Sequence, residues 1–405
     1  MSSSDIDNIF NNAASGKSLI RNRQALTIDY VPERLPFREQ EENAVAQVLS
    51  TVFRSSRPSN LLLFGEPGTG KTAVVRKVVE RLAKKAKEMK SGVQAVNVNA
   101  KGASTAYKVL FEIAEELGLN QEQDNTKQVP FTGLSIGEAM SRILQYIQKK
   151  KLGLILVIDE IDSLVDKSGD DVLYSFTRAN QQMAKGGFIS LIGISNSLDF
   201  KDKLDPRVRS SLSEEEMVFN PYTIEQLRQI LHERSRIAFT DGAITEAAIN
   251  LCSAMAGREH GDARKAIDLL RVGAEIAERE SAPKVDEKHV RAAQEKIERD
   301  APYVLLKNAP AHMKLVIIAI AKSKDGFTGD VYNAYSSFCK QAEQDPLTQR
   351  RVTQMISKLD LLGLVTTDVV NQGRYGRSQK IRIKIPLTTL REALKEDPTF
   401  STLID

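Results

Sequence analysis

The chain has 405 residues, a hydrophobic share of 41%, and 57 basic against 53 acidic residues. At roughly 100–200 residues per domain, this length accommodates two to four domains with ordinary packed cores. No run of about 18 apolar residues occurs, which excludes a membrane-spanning helix from the reading, and the polar, acid-bearing start Met1–Asn12 reads as neither a signal nor a transit peptide.

In chain order, residues 1–25 have low apolar density and read as a flexible arm. Residues 26–220 alternate short apolar runs with amphipathic stretches. The strand candidates are Asn60–Phe64, Val93–Val98, Leu154–Ile158, Ile189–Ile194 and Glu216–Phe219. Most are continuously apolar, as strands buried on both faces must be. Helical patterns over Thr72–Lys87, Ala106–Leu117 and Ile136–Lys150 supply crossovers, so this region is expected to be an α/β module with a parallel sheet. Residues 221–299 turn all-helical (Thr223–Phe239, Thr245–Ala256, Asp262–Arg279 and Asp286–Glu298), with Thr245 and Asp286 as N-caps and Gly257 and Gly261 as interruptions. Residues 300–405 give helices over His312–Lys322, Asp330–Glu343 and Thr348–Leu362. The strand-like runs Leu364–Val370 and Lys380–Ile385 follow, around a loop holding Gly373 and Gly376. Three helices then a β-hairpin is the order of a winged helix-turn-helix.

Two cysteines, Cys252 and Cys339, lie in helical patterns far apart and fit no zinc-site spacing. They read as small buried apolar residues, compatible with a reducing cytosol. The net charge of +4 says little, but its placement says more: Arg374, Arg377, Lys380, Arg382 and Lys384 fall between Asn371 and Ile385 with no acid among them. Such a local excess is an electrostatic footprint for nucleic acid, or else a solvated basic hairpin.

The sharpest motif is Gly65-Glu66-Pro67-Gly68-Thr69-Gly70-Lys71-Thr72, followed by Ala73. It sits after an apolar strand and before a helix, the context a P-loop requires. Glycines let backbone N–H groups turn around phosphates, and the helix N-terminus faces the anion. Lys71 reaches β- and γ-phosphates, and Thr72 ligates Mg²⁺. A second strand, Leu154–Ile158, ends in Asp159-Glu160, a Walker B pattern in which Asp159 holds the metal and Glu160 polarises the attacking water. A third runs into Ser195-Asn196, which places Asn196 at the carboxyl end of the sheet beside the γ-phosphate, or as a turn cap.

This order of P-loop, Walker B, Asn and then Arg before a helical lid resembles the AAA+ ATPases. Several longer blocks are more specific: Asp159–Asp162, Leu204-Asp205-Pro206-Arg207-Val208-Arg209-Ser210-Ser211-Leu212, Arg258–Leu270, Thr348–Val352 and Gly373-Arg374-Tyr375-Gly376. They resemble the archaeal replication initiators related to the eukaryotic origin recognition complex and its helicase-loading partner. The resemblance runs from Tyr30 to Pro386. It implies a five-stranded AAA+ base, an all-α lid and a winged helix-turn-helix. It also implies that Arg207 is an arginine finger offered in trans (Arg209 the fallback) and that Arg264 is the lid arginine touching the γ-phosphate in cis. The segment Tyr30–Arg38, with Val31, Pro36 and Arg38, would wrap the adenine, and Tyr222 would border it. A family insertion near Asn99–Leu117 would reach the DNA minor groove; here it offers Lys101, Thr105 and Lys108 among small residues, where the family carries arginine or a glutamine-rich run.

In the winged helix, Thr348, Gln349, Arg350 and Arg351 open the expected recognition helix. Gln and Arg suit base edges, and Thr and the helix terminus suit phosphates. Val352, Met355, Ile356 and Leu359 form its core face. Arg374, Tyr375, Gly376 and Arg377 form the wing tip, where Tyr375 either stacks on sugar or stiffens the hairpin.

The function expected is an ATP-dependent initiator that binds duplex DNA at replication origins. It would use ATP/ADP and Mg²⁺ as a slowly hydrolysed switch and assemble with other copies or paralogous initiators. It would help recruit or load the replicative helicase. Its expected place is the cytoplasm, on the chromosome, with no membrane partner. A protein remodeller or helicase would carry an aromatic pore loop where Asn97–Thr105 is small and polar. A winged-helix transcription regulator with a nucleotide sensor is the remaining alternative, and site preference on the chromosome separates the two.

Overall fold

The computed structural model describes residues 18–404 except 55, 104, 122, 123, 125, 126, 184–186, 213, 324, 325, 372–376 and 396. The chain divides into two compact units, one ending at Val290 and the other starting at Arg291. Among the described residues no helix is long and apolar enough to cross a membrane.

The first unit is built on five parallel strands, β1 (Leu61–Phe64), β2 (Val93–Asn99), β3 (Gly153–Asp159), β4 (Phe188–Ser195) and β5 (Glu215–Val218), in the order β2-β3-β4-β1-β5. The central strands are the continuously apolar ones, and the two edges carry the polar residues, because only a central strand is covered on both faces. Alternate residues serve two cores. Leu62, Phe64, Leu154, Leu156, Ile158, Ile189 and Leu191 face α3 (Ala106–Glu116), α4 (Ile136–Lys150) and α6 (Asp171–Gln182). Leu61, Leu63, Ile155, Val157, Ile192 and Ile194 face α1 (Glu39–Ser50) and α2 (Lys71–Glu88). Each fully buried Leu or Ile contributes about 1.5–3 kcal/mol, so the sheet's position is strongly determined by this two-sided pattern.

The register decides where the strands end. Phe64 pairs with Ser195, and Asp159 with Asn99 and Ile194. The ends of β1, β3 and β4 therefore emerge together at one rim. Two short helices, α5 (Ile161–Ser168) and α7 (Pro206–Leu212), follow β3 and precede β5.

Three helices complete the first unit: α8 (Ile224–Ala238), α9 (Glu246–Arg258) and α10 (Ala263–Arg279). Thr223 starts α8 with a full capping box to Gln226, and Thr245 caps α9. Gly257 lies inside α9 rather than interrupting it. Helix α11 (Glu287–Lys307) continues through Pro302, where the sequence suggested an end near Glu298.

Of the expected flexible arm, residues 1–17 lie outside the described residues, and Ser18–Ala25 are not free. From Ser18 the chain is pinned to the helices of this unit. Ile20 bridges Phe239, Arg21 and Asn22 donate to the Ala238 carbonyl, and the backbone N–H groups of Leu19 and Ile20 donate to Glu278. Ala25 and Leu26 are buried.

The second unit holds α12 (Ala311–Lys322), α13 (Thr328–Gln341) and α14 (Gln349–Leu361), then the antiparallel pair β6 (Val365–Asn371) and β7 (Arg377–Ile383). This is the expected winged helix-turn-helix. Two further helices, α15 (Leu387–Leu394) and α16 (Pro398–Ile404), add Leu390, Leu394, Phe400 and Leu403 to its core.

Candidate functional site

The loop between β1 and α2 is held by glycine geometry. Gly68 and Gly70 have φ of +75° and +93°, in the left-handed region that side chains disfavour. A Cβ on Gly68 would lie 1.7 Å from Asp262 Oδ1, and one on Gly70 would lie 2.7 Å from the Tyr222 hydroxyl. The loop is thus closed down upon by the segment after β5 and by the start of α10. Ala263 N donates to the Gly68 carbonyl at 3.2 Å, and Tyr222 N to the Gly261 carbonyl at 3.3 Å.

Asp262 caps α10 by accepting from Arg264 N and Lys265 N, at 2.7 and 3.3 Å. Such a cap stabilises by about 1 kcal/mol. Here it also fixes Arg264 in the first turn, against the phosphate loop. Lys71 is buried, and its Nζ donates to the Gly65 and Glu66 carbonyls at 2.7 and 2.8 Å. Burial and the nearby Arg264 charge push its pKa down to about 8. A buried cation with a second one at its exposed edge makes a place where an anion is stabilised.

At the rim, Thr72 Oγ1 donates to Asp159 Oδ2 at 2.9 Å, and Asp159 Oδ1 accepts from Glu160 N at 2.9 Å. A hydroxyl and a carboxylate are the hard oxygen donors that suit Mg²⁺, which takes few protein ligands when phosphates supply others. Glu160 sits at φ 52°, ψ 46°. A left-handed conformation in a non-glycine residue costs about 1–3 kcal/mol and persists only where its surroundings impose it. Lys101 Nζ lies 3.5 Å from Glu160 Oε2. Asn196 directly follows Ser195, whose strand partner Phe64 leads into Gly65.

Beside these residues lies a cavity of about 520 Å³, which Lys71, Asp159, Glu160 and Asn196 do not themselves line. Gly68, Gly70, Thr72, Ala73 and Arg264 form one part of its lining. The segment Ile28–Pro36 forms another, including Val31 and Pro36, with Tyr222 beside it. Arg38, expected in this wall, does not line the cavity. It is buried, with Nε donating to the Thr69 carbonyl at 2.9 Å and to the Tyr222 hydroxyl at 3.1 Å, and its guanidinium carbon lies 4.2 Å from the centre of the Tyr222 ring. Arg38 therefore props the phosphate loop from behind. Gly65, Glu66, Pro67 and Thr69 shape the loop without lining the cavity; Thr69 Oγ1 closes it by donating to the Glu66 carbonyl at 2.8 Å. The reading of the sequence missed Ile230, Arg234, Ile237 and Ile267, which line the cavity from α8 and α10. The available signal was a charged residue set among apolar ones on one face of α8.

Arg207 is exposed on α7 and forms a bidentate pair with Asp205, at 3.0 and 3.1 Å. The hydrogen bonds from Arg207 hold the Asp205 carboxyl below its ordinary pKa. Arg209 pairs with Asp202 at 3.4 Å. Neither arginine lines the cavity of its own chain.

Of the residues expected on DNA in the first unit, Thr105 caps α3 by accepting from Lys108 N at 3.3 Å, and Lys108 Nζ donates to the Gly102 carbonyl at 3.0 Å. Both are engaged locally, and Lys101 faces Glu160. In the second unit, Thr348, Gln349, Arg350 and Arg351 are all exposed at the start of α14, and Val352, Ile356 and Leu359 are buried beneath, with Met355 packed beside them. Arg374, Tyr375 and Gly376 lie outside the described residues. Arg377 opens β7 opposite Asn371.

Comparison with known proteins agrees with this division. Residues 54–199 match the AAA domain family, 228–295 the Cdc6 AAA+ ATPase-type lid domain, and 305–393 the CDC6 C-terminal winged helix domain. The chain is 45% identical over 402 residues to the ORC1-type DNA replication protein of Cenarchaeum symbiosum, covering 98% of this chain and 97% of that protein. It is 42% identical over 404 residues to that of Thermococcus onnurineus, covering 98% and 96%. The structure of the Aeropyrum pernix ORC1 protein in complex with DNA superposes with a TM-score of 0.88 at 42% identity, over 96% of this chain and 100% of that one. Identity of this size over nearly the whole length, with a parallel-sheet AAA+ base, a helical lid and a winged helix, means that the chain belongs to the ORC1-type DNA replication proteins, the initiator family of the archaea.

Proposed function

We propose that this chain is a replication initiator that binds duplex DNA at origins, with ATP as a switch and the replicative helicase as its eventual partner. The observation that carries the nucleotide half is that Thr72 and Arg264 line one end of an apolar cavity, with Asp159 hydrogen-bonded to Thr72 and Lys71 feeling the charge of Arg264. Lys71 and Arg264 bind the phosphate chain. Thr72 and Asp159 hold Mg²⁺, which when bound neutralises developing charge on the transferred phosphate. Glu160 accepts a proton from the attacking water, and Asn196 orients that water. Because Arg264 belongs to the lid helix and Lys71 to the base, a γ-phosphate gripped by both fixes the angle between those parts.

Arg207 does not line its own chain's cavity, which supports the reading that it acts on a neighbour's nucleotide. Hydrolysis by a lone chain is therefore slow. The DNA half rests on the four exposed donors that open α14, a helix N-terminus with two arginines and no acid in its first turn. A duplex seated there takes Gln349 and Arg350 at base edges and Arg351 and Thr348 at phosphates, with Arg374, Tyr375, Gly376 and Arg377 following on the wing. Lys101, Thr105 and Lys108 make the second, weaker contact.

The test is the hydrolysis rate against protein and origin-DNA concentration, with an Arg207→Ala chain mixed in. A slow rate that rises on DNA and falls with the mixed variant supports the reading. A fast rate independent of DNA and concentration contradicts it and favours a continuously cycling machine.

A further inference from the structure

Helix α8 carries Arg234 into the wall of the nucleotide cavity, between Ile230 and Ile237. It is only 8% exposed. Buried arginines are ordinarily paired with carboxylates, because an uncompensated buried charge is expensive. Arg234 has no carboxylate within ion-pairing distance among the described residues. Its Nη1 donates to the Ala25 and Tyr30 carbonyls at 3.1 and 3.3 Å, and its guanidinium carbon lies 4.9 Å from the centre of the Tyr30 ring. Two carbonyls and a π face compensate part of the charge. The N–H groups of Nε and Nη2 make no hydrogen bond among the described residues, and the residue lines the cavity. Burial lowers its pKa.

The position also tells which end of a ligand it meets. Arg234 is tied to the 25–30 segment and flanked by isoleucines, whereas the phosphate end is marked by Gly68, Gly70, Thr72 and Arg264.

Resting on the nucleotide reading above, we propose that Arg234 is a specificity-determining residue for the nucleoside end of the ligand: its Nε and Nη2 groups donate to an acceptor atom on the purine ring or ribose. The same side chain holds the Tyr30 carbonyl, so it sets the wall against which the base lies. A charge-assisted bond of this kind changes affinity by roughly ten- to a hundredfold.

The experiment measures affinities of the full chain for ATP, its deaza analogues lacking one ring nitrogen each, 2′-deoxy-ATP and inorganic tripolyphosphate. The series is repeated with Arg234→Met, which keeps the bulk, and Arg234→Lys, which keeps the charge. We expect one analogue to bind wild type about tenfold more weakly than ATP. Arg234→Met should weaken ATP to the same level, no longer distinguish that analogue, and leave tripolyphosphate unchanged. Wild type binding ATP and every analogue alike overturns the proposal without any need for a folded variant. Equal losses for ATP and tripolyphosphate in Arg234→Met also overturn it and make Arg234 a structural clamp. Failure of wild type to bind ATP at all would instead remove the nucleotide reading on which the proposal stands.

Discussion

Lys101 Nζ stands 3.5 Å from Glu160 Oε2, linking the loop after β2 to the residue proposed to activate water. The lysine is 72% exposed, so the pair is worth at most about 1 kcal/mol. Its consequence is geometric: an ion pair with Lys101 holds the carboxylate away from the water. Lys101→Ala should raise the DNA-free hydrolysis rate by about two- to fivefold, the range such a pair energy allows. A phosphate backbone competing for Lys101 would have the same effect, so DNA stimulation should shrink in the variant. An unchanged basal rate would remove Lys101 from this role.

Glu160→Gln keeps the shape and loses the base. Hydrolysis should fall by about a hundredfold or more, while ATP affinity stays within about twofold, because general-base catalysis contributes on that scale and the carboxylate does not touch the phosphates. Single-turnover hydrolysis and equilibrium binding on the same sample check both halves.

Lys71 carries the pH dependence. With a pKa of about 8 in the free chain, it is charged below that pH and neutral above it. A bound phosphate favours the charged form, so the pKa rises on binding and a proton is taken up. ATP affinity should be flat below about pH 8 and fall as pH rises beyond it. Titration calorimetry in buffers of different ionisation enthalpy should show net proton uptake near pH 8.5. The same group lets stability rise above pH 8, where the unfolded lysine, with its ordinary value of 10.5, still binds the proton. Affinity that stays level up to pH 9.5 would contradict this.

Gly68→Ala places a Cβ where Asp262 Oδ1 now lies, at φ +75°. The strain alone is about 1–2 kcal/mol, and the lid's first turn must also shift. The expected result is a lower melting temperature and weakened ATP binding together. Asp262→Ala combined with it should recover part of the affinity, since the clash is removed.

The legible parts of the fold were those with a strong period or a strict motif. The strands stood out because two-sided burial leaves an unbroken apolar run, and the P-loop because its glycines are forced by backbone conformation. The short helices α5 and α7 and the added helices α15 and α16 were not read, because one or two turns give too few periods. Ser18–Ala25 looked unstructured because its anchors, the Ala238 carbonyl and Glu278, are more than 200 residues away. Arg38 was placed in the ligand wall because the family resemblance locates a segment but not which of its side chains turns inward. Arg234 was missed for the complementary reason: a buried cation is recognised only once its neighbours are known.

The DNA-binding reading has a quantitative consequence. If Arg351 neutralises one phosphate, replacing it by Ala should reduce the slope of log K against log salt by about 0.9. An unchanged slope would move the contact away from α14.

The central claim is that this chain marks replication origins. The measurement that tests it most directly is footprinting of the protein across the chromosome in its own cells, beside the Arg350→Ala/Arg351→Ala variant. Binding concentrated at the few loci where replication starts, and lost in the variant, is the predicted result. Binding spread over promoters, or without preference for any locus, would contradict it.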